Sequence, residues 1–177
     1  MIIAKTPSHC DSNNIYFTEP LHNSANNSTF SRIMVCDSNS IINGVYIRLP
    51  LQDVSIHEIS DWGVCKHIAQ YRVDANCAVN ADVRKFETSV LQLYKNTFNV
   101  CAKAQCCHIA DTLLSGKLNL GAESCATDIG EPDPMMQTAS PDQDRVRVSP
   151  TANVLLKISG VWETDKMFGI TFKYITA

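Results

Sequence analysis

The chain has 177 residues, 45% of them hydrophobic and 19% charged. That balance supports a sizeable core and argues against global disorder, and no run approaches the roughly 20 apolar residues of a membrane-spanning helix. A formal net charge of −3 rules out the strongly basic class of polyanion binder, although a local basic face is compatible with it.

The length suits one domain over residues 1–177. The short apolar start before Lys5 and Thr6 is not the core of a signal peptide, so a non-secreted, intracellular chain is expected. Its eight cysteines (10, 36, 65, 77, 101, 106, 107 and 125) then read as reduced, mostly buried thiols rather than a disulfide framework. Asn26 and Asn27 each head a glycosylation-type triplet, but without secretion they are polar turn residues.

Residues 14–51 read as the first strands. Ile15-Tyr-Phe-Thr is a short one. Asn23 to Thr29 is a loop, and Phe30 to Cys36 is a second strand. Asp37-Ser-Asn-Ser is a turn signal. Ile41 to Leu51 is a third strand, with Asn43-Gly44 as an early turn or bulge. Asp61-Trp62-Gly63 reads as a turn, and Lys66 to Val73 fits either a strand or a short helix.

Residues 82–115 read as a helical insertion. Phe86, Val90, Leu91 and Tyr94 recur at helical spacing, with Asp82 as the N-cap. A second helix is expected from about Cys101 to Leu114, ended by Gly116. Lys117 to Leu120 returns to strand. Residues 122–150 hold four prolines and read as a long polar loop. Six acids and two arginines give this stretch a net charge of −4, while 13 bases and 12 acids leave the rest of the chain at +1. Asn153 to Thr164 and Phe168 to Ile175, joined at Asp165-Lys166-Met167, form a hairpin within 153–176.

Strand alternation sorts side chains onto two faces. Val45, Ile47, Leu49 and Leu51 oppose Tyr46 and Arg48. Ile33 and Val35 oppose Phe30, Arg32 and Met34. Ile15 and Phe17 oppose Tyr16. Val154, Leu156 and Ile158 oppose Leu155, Lys157 and Ser159. Phe168, Ile170, Phe172 and Tyr174 oppose Thr171, Lys173 and Ile175. One face is therefore aliphatic. The other mixes aromatic and cationic groups: Tyr16, Phe30, Arg32, Tyr46, Arg48, Lys157 and Lys173. Aromatic rings stack bases and cations meet phosphates, although the same mixture also makes an ordinary solvated face. Trp162 shares the parity of Leu156 and Ile158 and is expected in the core. Arg145 and Arg147 put two cations on one side if extended, either to clamp phosphate or to balance Asp142 and Asp144.

The stretch Leu155-Leu-Lys-Ile-Ser-Gly-Val-Trp-Glu-Thr, then Phe168-Gly-Ile-Thr-Phe-Lys-Tyr-Ile, resembles the last hairpin of OB-fold single-stranded-DNA-binding proteins of large DNA viruses and related mobile elements. Phe30-Ser-Arg-Ile-Met-Val and Asn43-Gly-Val-Tyr-Ile resemble their opening strands, and the helix with Phe86-Glu87 and Val90-Leu91 lies between the halves as theirs does. The resemblance implies a mainly β, α+β fold: an OB-like five-stranded antiparallel barrel with an inserted helical segment. It implies a protein that coats single-stranded DNA during replication or recombination with little sequence preference, in a host nucleus or cytoplasm. Such proteins often end in an acidic recruiting tail, whereas these 177 residues end at Lys173-Tyr-Ile-Thr-Ala and hold their acids internally.

The expected partners are single-stranded DNA or RNA, replication proteins and further copies of the chain, with no membrane. The expected interface is Tyr16, Phe30, Arg32, Tyr46, Arg48, Arg145, Arg147, Lys157 and Lys173. A structural or assembly module without nucleic-acid affinity is the alternative. A zinc site would draw on Cys65, His67, Cys101, Cys106, Cys107 and His108, but no Cys-x2-Cys pair is present and core thiols explain these residues better. No catalytic or nucleotide-cradling motif is present. No cofactor, metal or enzymatic activity is expected.

Overall fold

The computed structural model describes residues 4–10, 12–25, 27–37, 40–61, 64–100, 102–121, 145–149 and 153–176. The alternating segments of the sequence become strands. In chain order these are β1 (Ala4–Lys5), β2 (Ile15–Phe17), β3 (Leu21–Asn23), β4 (Ser28–Asp37), β5 (Ser40–Asn43), β6 (Val45–Pro50), β7 (Val54–Asp61) and β8 (Val64–Gln70). Helix α1 (Cys77–Phe98), strand β9 (Ala104–Cys106) and helix α2 (Ile109–Leu114) follow. The remaining strands are β10 (Lys117–Leu120), β11 (Arg145–Ser149), β12 (Asn153–Glu163) and β13 (Met167–Thr176).

The fold is mainly β with two α-helices among the described residues, an α+β architecture. The main sheet runs β1-β6-β12-β13-β10-β8-β7-β11 and is not closed. Its centre is the β12–β13 hairpin, whose register joins Lys157 to Lys173 and Ile158 to Phe172. Strand β12 continues to β6 through Val154–Leu49, Leu156–Ile47 and Lys157–Tyr46. Its other half pairs with the start of β4, through Gly160–Arg32 and Trp162–Phe30. The end of β4 pairs instead with β2 and β5. Gly44, at φ +84, links β5 to β6, and a Cβ there would lie 2.6 Å from the Ile158 carbonyl oxygen. Only glycine fits that left-handed approach.

One face of the sheet is the core. Ile33, Ile47, Leu49, Leu118, Val154, Leu156, Ile158 and Phe168 are each fully buried. Helix α1 supplies Val83, Phe86, Val90, Leu91 and Tyr94 against them. Tyr94 packs its ring edge-on to Phe17, 5.1 Å between centroids, and stacks at 5.9 Å on Phe168. Such pairs add roughly 0.5–1.5 kcal/mol beyond area burial.

Helix α2 has only six residues, too short to stand alone. The buried Glu87 carboxylate of α1 accepts the backbone N–H groups of His108 at 2.9 Å, Ile109 at 3.0 Å and Ala110 at 3.3 Å. It satisfies donors that a helix start leaves open and puts negative charge at the positive end of the helix. The Tyr174 hydroxyl donates to the Ile109 carbonyl at 3.3 Å, and the Tyr71 hydroxyl donates to the Leu113 carbonyl. Thus α1, β13 and Tyr71, the residue after β8, together hold α2.

Three expectations are corrected and one open alternative is resolved. Helix α1 starts at Cys77, so Asp82 lies inside it rather than capping it. The preceding Asn76 is buried and ties the chain locally: its amide oxygen accepts from Gln52 N–H and its amide nitrogen donates to the Arg72 carbonyl. The second helix does not begin near Cys101. Residues Ala104–Cys106 form β9, paired in parallel with Met167–Gly169 of β13, and Cys107 and His108 lead into α2. The segment 66–73, open between strand and helix, is strand as far as Gln70. Finally, the end of the stretch read as a loop, Arg145–Ser149, is β11 and pairs antiparallel with β7; positions 122–144 and 150 lie outside the described residues, as do Trp62 and Gly63 of the expected turn. Among the described residues no helix is long and apolar enough to cross a membrane.

Candidate nucleic-acid interface

The face opposite the helices is built by three neighbouring strands. β6 contributes Tyr46 and Arg48, β12 contributes Leu155 and Lys157, and β13 contributes Lys173 and Ile175. Cross-strand register sets Tyr46, Lys157 and Lys173 in one row, and Arg48, Leu155 and Ile175 in the next. Arg48 is exposed, and Tyr46, Lys157 and Lys173 are half-buried. Leu155 and Ile175, in the row of Arg48, are buried. The Lys157 ammonium lies 5.4 Å from the centre of the Tyr46 ring, within cation–π range.

β4 extends the same face. Phe30 and Arg32 stand beside Trp162 and Gly160 of β12. Arg32 is exposed and Phe30 half-buried. Further along, Tyr16 of β2 is opposite Met34 and 56% exposed. The sequence-derived group is thus brought onto one face for seven of its nine members, but not into one cluster. Tyr46, Arg48, Lys157 and Lys173 are adjacent. Phe30 and Arg32 flank the far half of β12, and Tyr16 lies beyond them. Arg145 and Arg147 are in β11, at the opposite end of the strand path from β6; their side chains lie outside the described residues.

Trp162 is the chief correction. The register of β12 against β13 slips between Ile158 and Gly160. This bulge inserts Ser159 and inverts the alternation beyond it. Val161 therefore enters the core, fully buried, and Trp162 turns outward beside Phe30. Glu163 turns inward, where its carboxylate accepts the Tyr94 hydroxyl at 2.7 Å and the Lys103 ammonium at 2.6 Å. Burial, reinforced by this carboxylate, pushes the Tyr94 phenol up to about 12.

Two lysines of the face were missed. Leu118 and Leu120 of β10 are buried on the core side, so Lys117 is on the outer face with Lys173, and its register partner Gln70 carries the face on to β8. Lys66 of β8 has the same parity as Gln70 and is exposed. Alternation in Lys117-Leu-Asn-Leu was the available signal, but it required knowing that β10 joins β13. The net charge of −3 therefore coexists with a cationic outer face running from Arg48 to Lys66.

A cavity of about 120 Å³ lies on the helix side of β6, lined by Lys5, Cys10, Asn14, Ile15, Val45 and Phe86. Tyr46 also borders it, so the cavity adjoins the edge of this face. Among the described residues no three His, Cys, Asp or Glu side chains are grouped as metal ligands.

The chain matches no family model, no curated protein and no solved structure.

Proposed function

We propose that the outer face binds single-stranded nucleic acid, DNA or RNA, with little sequence preference. The observation that carries this reading is the Tyr46–Lys157–Lys173 row, an aromatic ring and two ammonium groups aligned across three strands, with Arg48 beside it. Cationic groups in such a row are suited to meet the phosphates of a strand laid across it. The cation–π contact is worth about 0.5–1 kcal/mol at an exposed site. A base stacked on the same ring gains about 1–3 kcal/mol. The balance favours the base, and the displaced ammonium is then in place for the adjoining phosphate.

Backbone and π-face contacts carry no base code, so the reading is sequence-tolerant coating rather than site recognition. It includes a distant OB-like relationship, supported by β4 serving β12 with its first half and β2 and β5 with its second. Replication or recombination is the process such coating serves, with an intracellular location, a non-enzymatic role and contacts to replication proteins as parts of the same reading.

A second reading, an assembly module, is favoured by Leu21 and Ile41, which are 59% and 69% exposed on β3 and β5. The two are separated by titrating a labelled oligonucleotide against the protein while measuring its mass in solution. Binding that Arg48→Ala and Tyr46→Ala each weaken supports the first. Stable self-assembly with no oligonucleotide affinity supports the second.

A further inference from the structure

We infer that Trp162 and Phe30 form a second base-stacking platform, and that the bound strand runs along β12 from Tyr46 to Trp162. This rests on the single-strand reading above and assigns it a residue that the alternation of the sequence had placed in the core.

The platform is made by two glycines. A Cβ on Gly169 would lie 2.8 Å from Trp162 Cζ2 and 3.0 Å from Cε2. A Cβ on Gly160 would lie 2.5 Å from Phe30 Cζ and 2.7 Å from Cε2. Both rings therefore pass close over bare backbone, the indole beside Gly169 of β13 and the phenyl beside Gly160 of β12. At Gly160 the Ser31 carbonyl oxygen is nearer still to that Cβ position, so backbone and ring together leave no room for a side chain. A partly exposed aromatic ring offers a base a stacking surface. Trp162 and Phe30 are also direct cross-strand neighbours, and both residues keep partial exposure.

Charge is placed to match. Arg32 is two residues from Phe30 on the same face, opposite Gly160, and exposed. From Lys157 to Trp162 the path along β12 is on the order of 15 Å at about 3.3 Å per residue. Tyr46 and Trp162 thus mark two stacking stations, with Lys157 at one and Arg32 at the other.

The test uses the full chain with Trp62→Phe, which leaves Trp162 as its single tryptophan. A 3′-labelled oligo(dT) is titrated while label anisotropy and Trp162 emission are followed together. The expected result is a rise in anisotropy with parallel quenching of Trp162. Trp162→Ala should weaken binding about thirty-fold, the middle of the range for losing one base stack, and Trp162→Phe should recover most of it. If the anisotropy rises while Trp162 emission is unchanged, the platform is wrong and the single-strand reading stands. If the anisotropy does not rise, both fall. Should Trp162→Ala fail to fold, the quenching measurement decides alone.

Discussion

Lys157 and Tyr46 are cross-strand partners on the outer face of the sheet, with the ammonium 5.4 Å from the ring centre. The pair holds an aromatic ring and a cation at one spot. On the proposed single-strand reading, the ring would take a base and the ammonium the adjoining phosphate.

Replacing the ring should therefore hurt more than replacing its hydroxyl. Tyr46→Ala is expected to cost about 1–3 kcal/mol of oligonucleotide affinity. Tyr46→Phe should stay within a few tenths, because the π-face remains. Anisotropy titrations of both variants, with melting curves to confirm folding, check the ordering.

The lysines should act through salt. Each phosphate neutralised on a single strand contributes about 0.7 to the slope of log K against log salt. Lys173→Gln should lower affinity uniformly across sequences and flatten that slope by about 0.7, and Lys157→Gln should do the same. Titrations at four salt concentrations measure both quantities. An unchanged slope in both variants would remove these lysines from the interface.

Glu87 makes a separate claim about stability. Its buried carboxylate accepts three consecutive N–H groups at the start of α2. Glu87→Ala leaves those donors open in a dry site, and unmet buried groups cost about 1–3 kcal/mol each. The loss should be on the order of 3 kcal/mol after partial rehydration. Urea unfolding of wild type and variant measures it, and a change under 1 kcal/mol would show that α2 needs no such anchor.

Three buried phenols make stability depend on alkaline pH, with Tyr174 raised furthest by its burial. Burial raises Tyr71 to about 12, and burial followed by the Glu163 carboxylate raises Tyr94 to about 12. Both folded-state values lie above the unfolded value of 10.0. The unfolded chain therefore releases these protons first. Their stabilising contribution is complete below pH 10 and is lost as pH rises from about 10 to about 12. Unfolding midpoints in urea should fall across that window, and the Tyr71→Phe, Tyr94→Phe double variant should fall less.

The sequence was most legible where strands are long and one-sided. Val45 to Leu51 and Phe168 to Tyr174 alternate cleanly, and each sends its aliphatic or aromatic set into the core. Phe86, Val90, Leu91 and Tyr94 mark the buried stripe of α1 equally well. What was hidden depends on distant partners. The bulge at Ser159 arises where β12 passes from β6 to β4, and no local pattern announces it, so Trp162 was placed on the wrong side. Ala104–Cys106 lacks the pattern of a strand and becomes one by lying against Met167–Gly169. Arg145–Ser149 sits at the end of a proline-rich polar stretch and is strand because β7 pairs with it. The start of α1 was missed because Cys77-Ala-Val precedes the periodic stripe, which begins only at Val83.

The most direct test of the single-strand reading is anisotropy of a labelled oligo(dT) titrated with the wild-type chain at low and moderate salt, against a duplex of equal length. The expected result is single-strand-selective binding that weakens with salt at a log–log slope of about −3, from roughly four phosphate contacts. No binding at micromolar protein, or equal binding to the duplex, would contradict it.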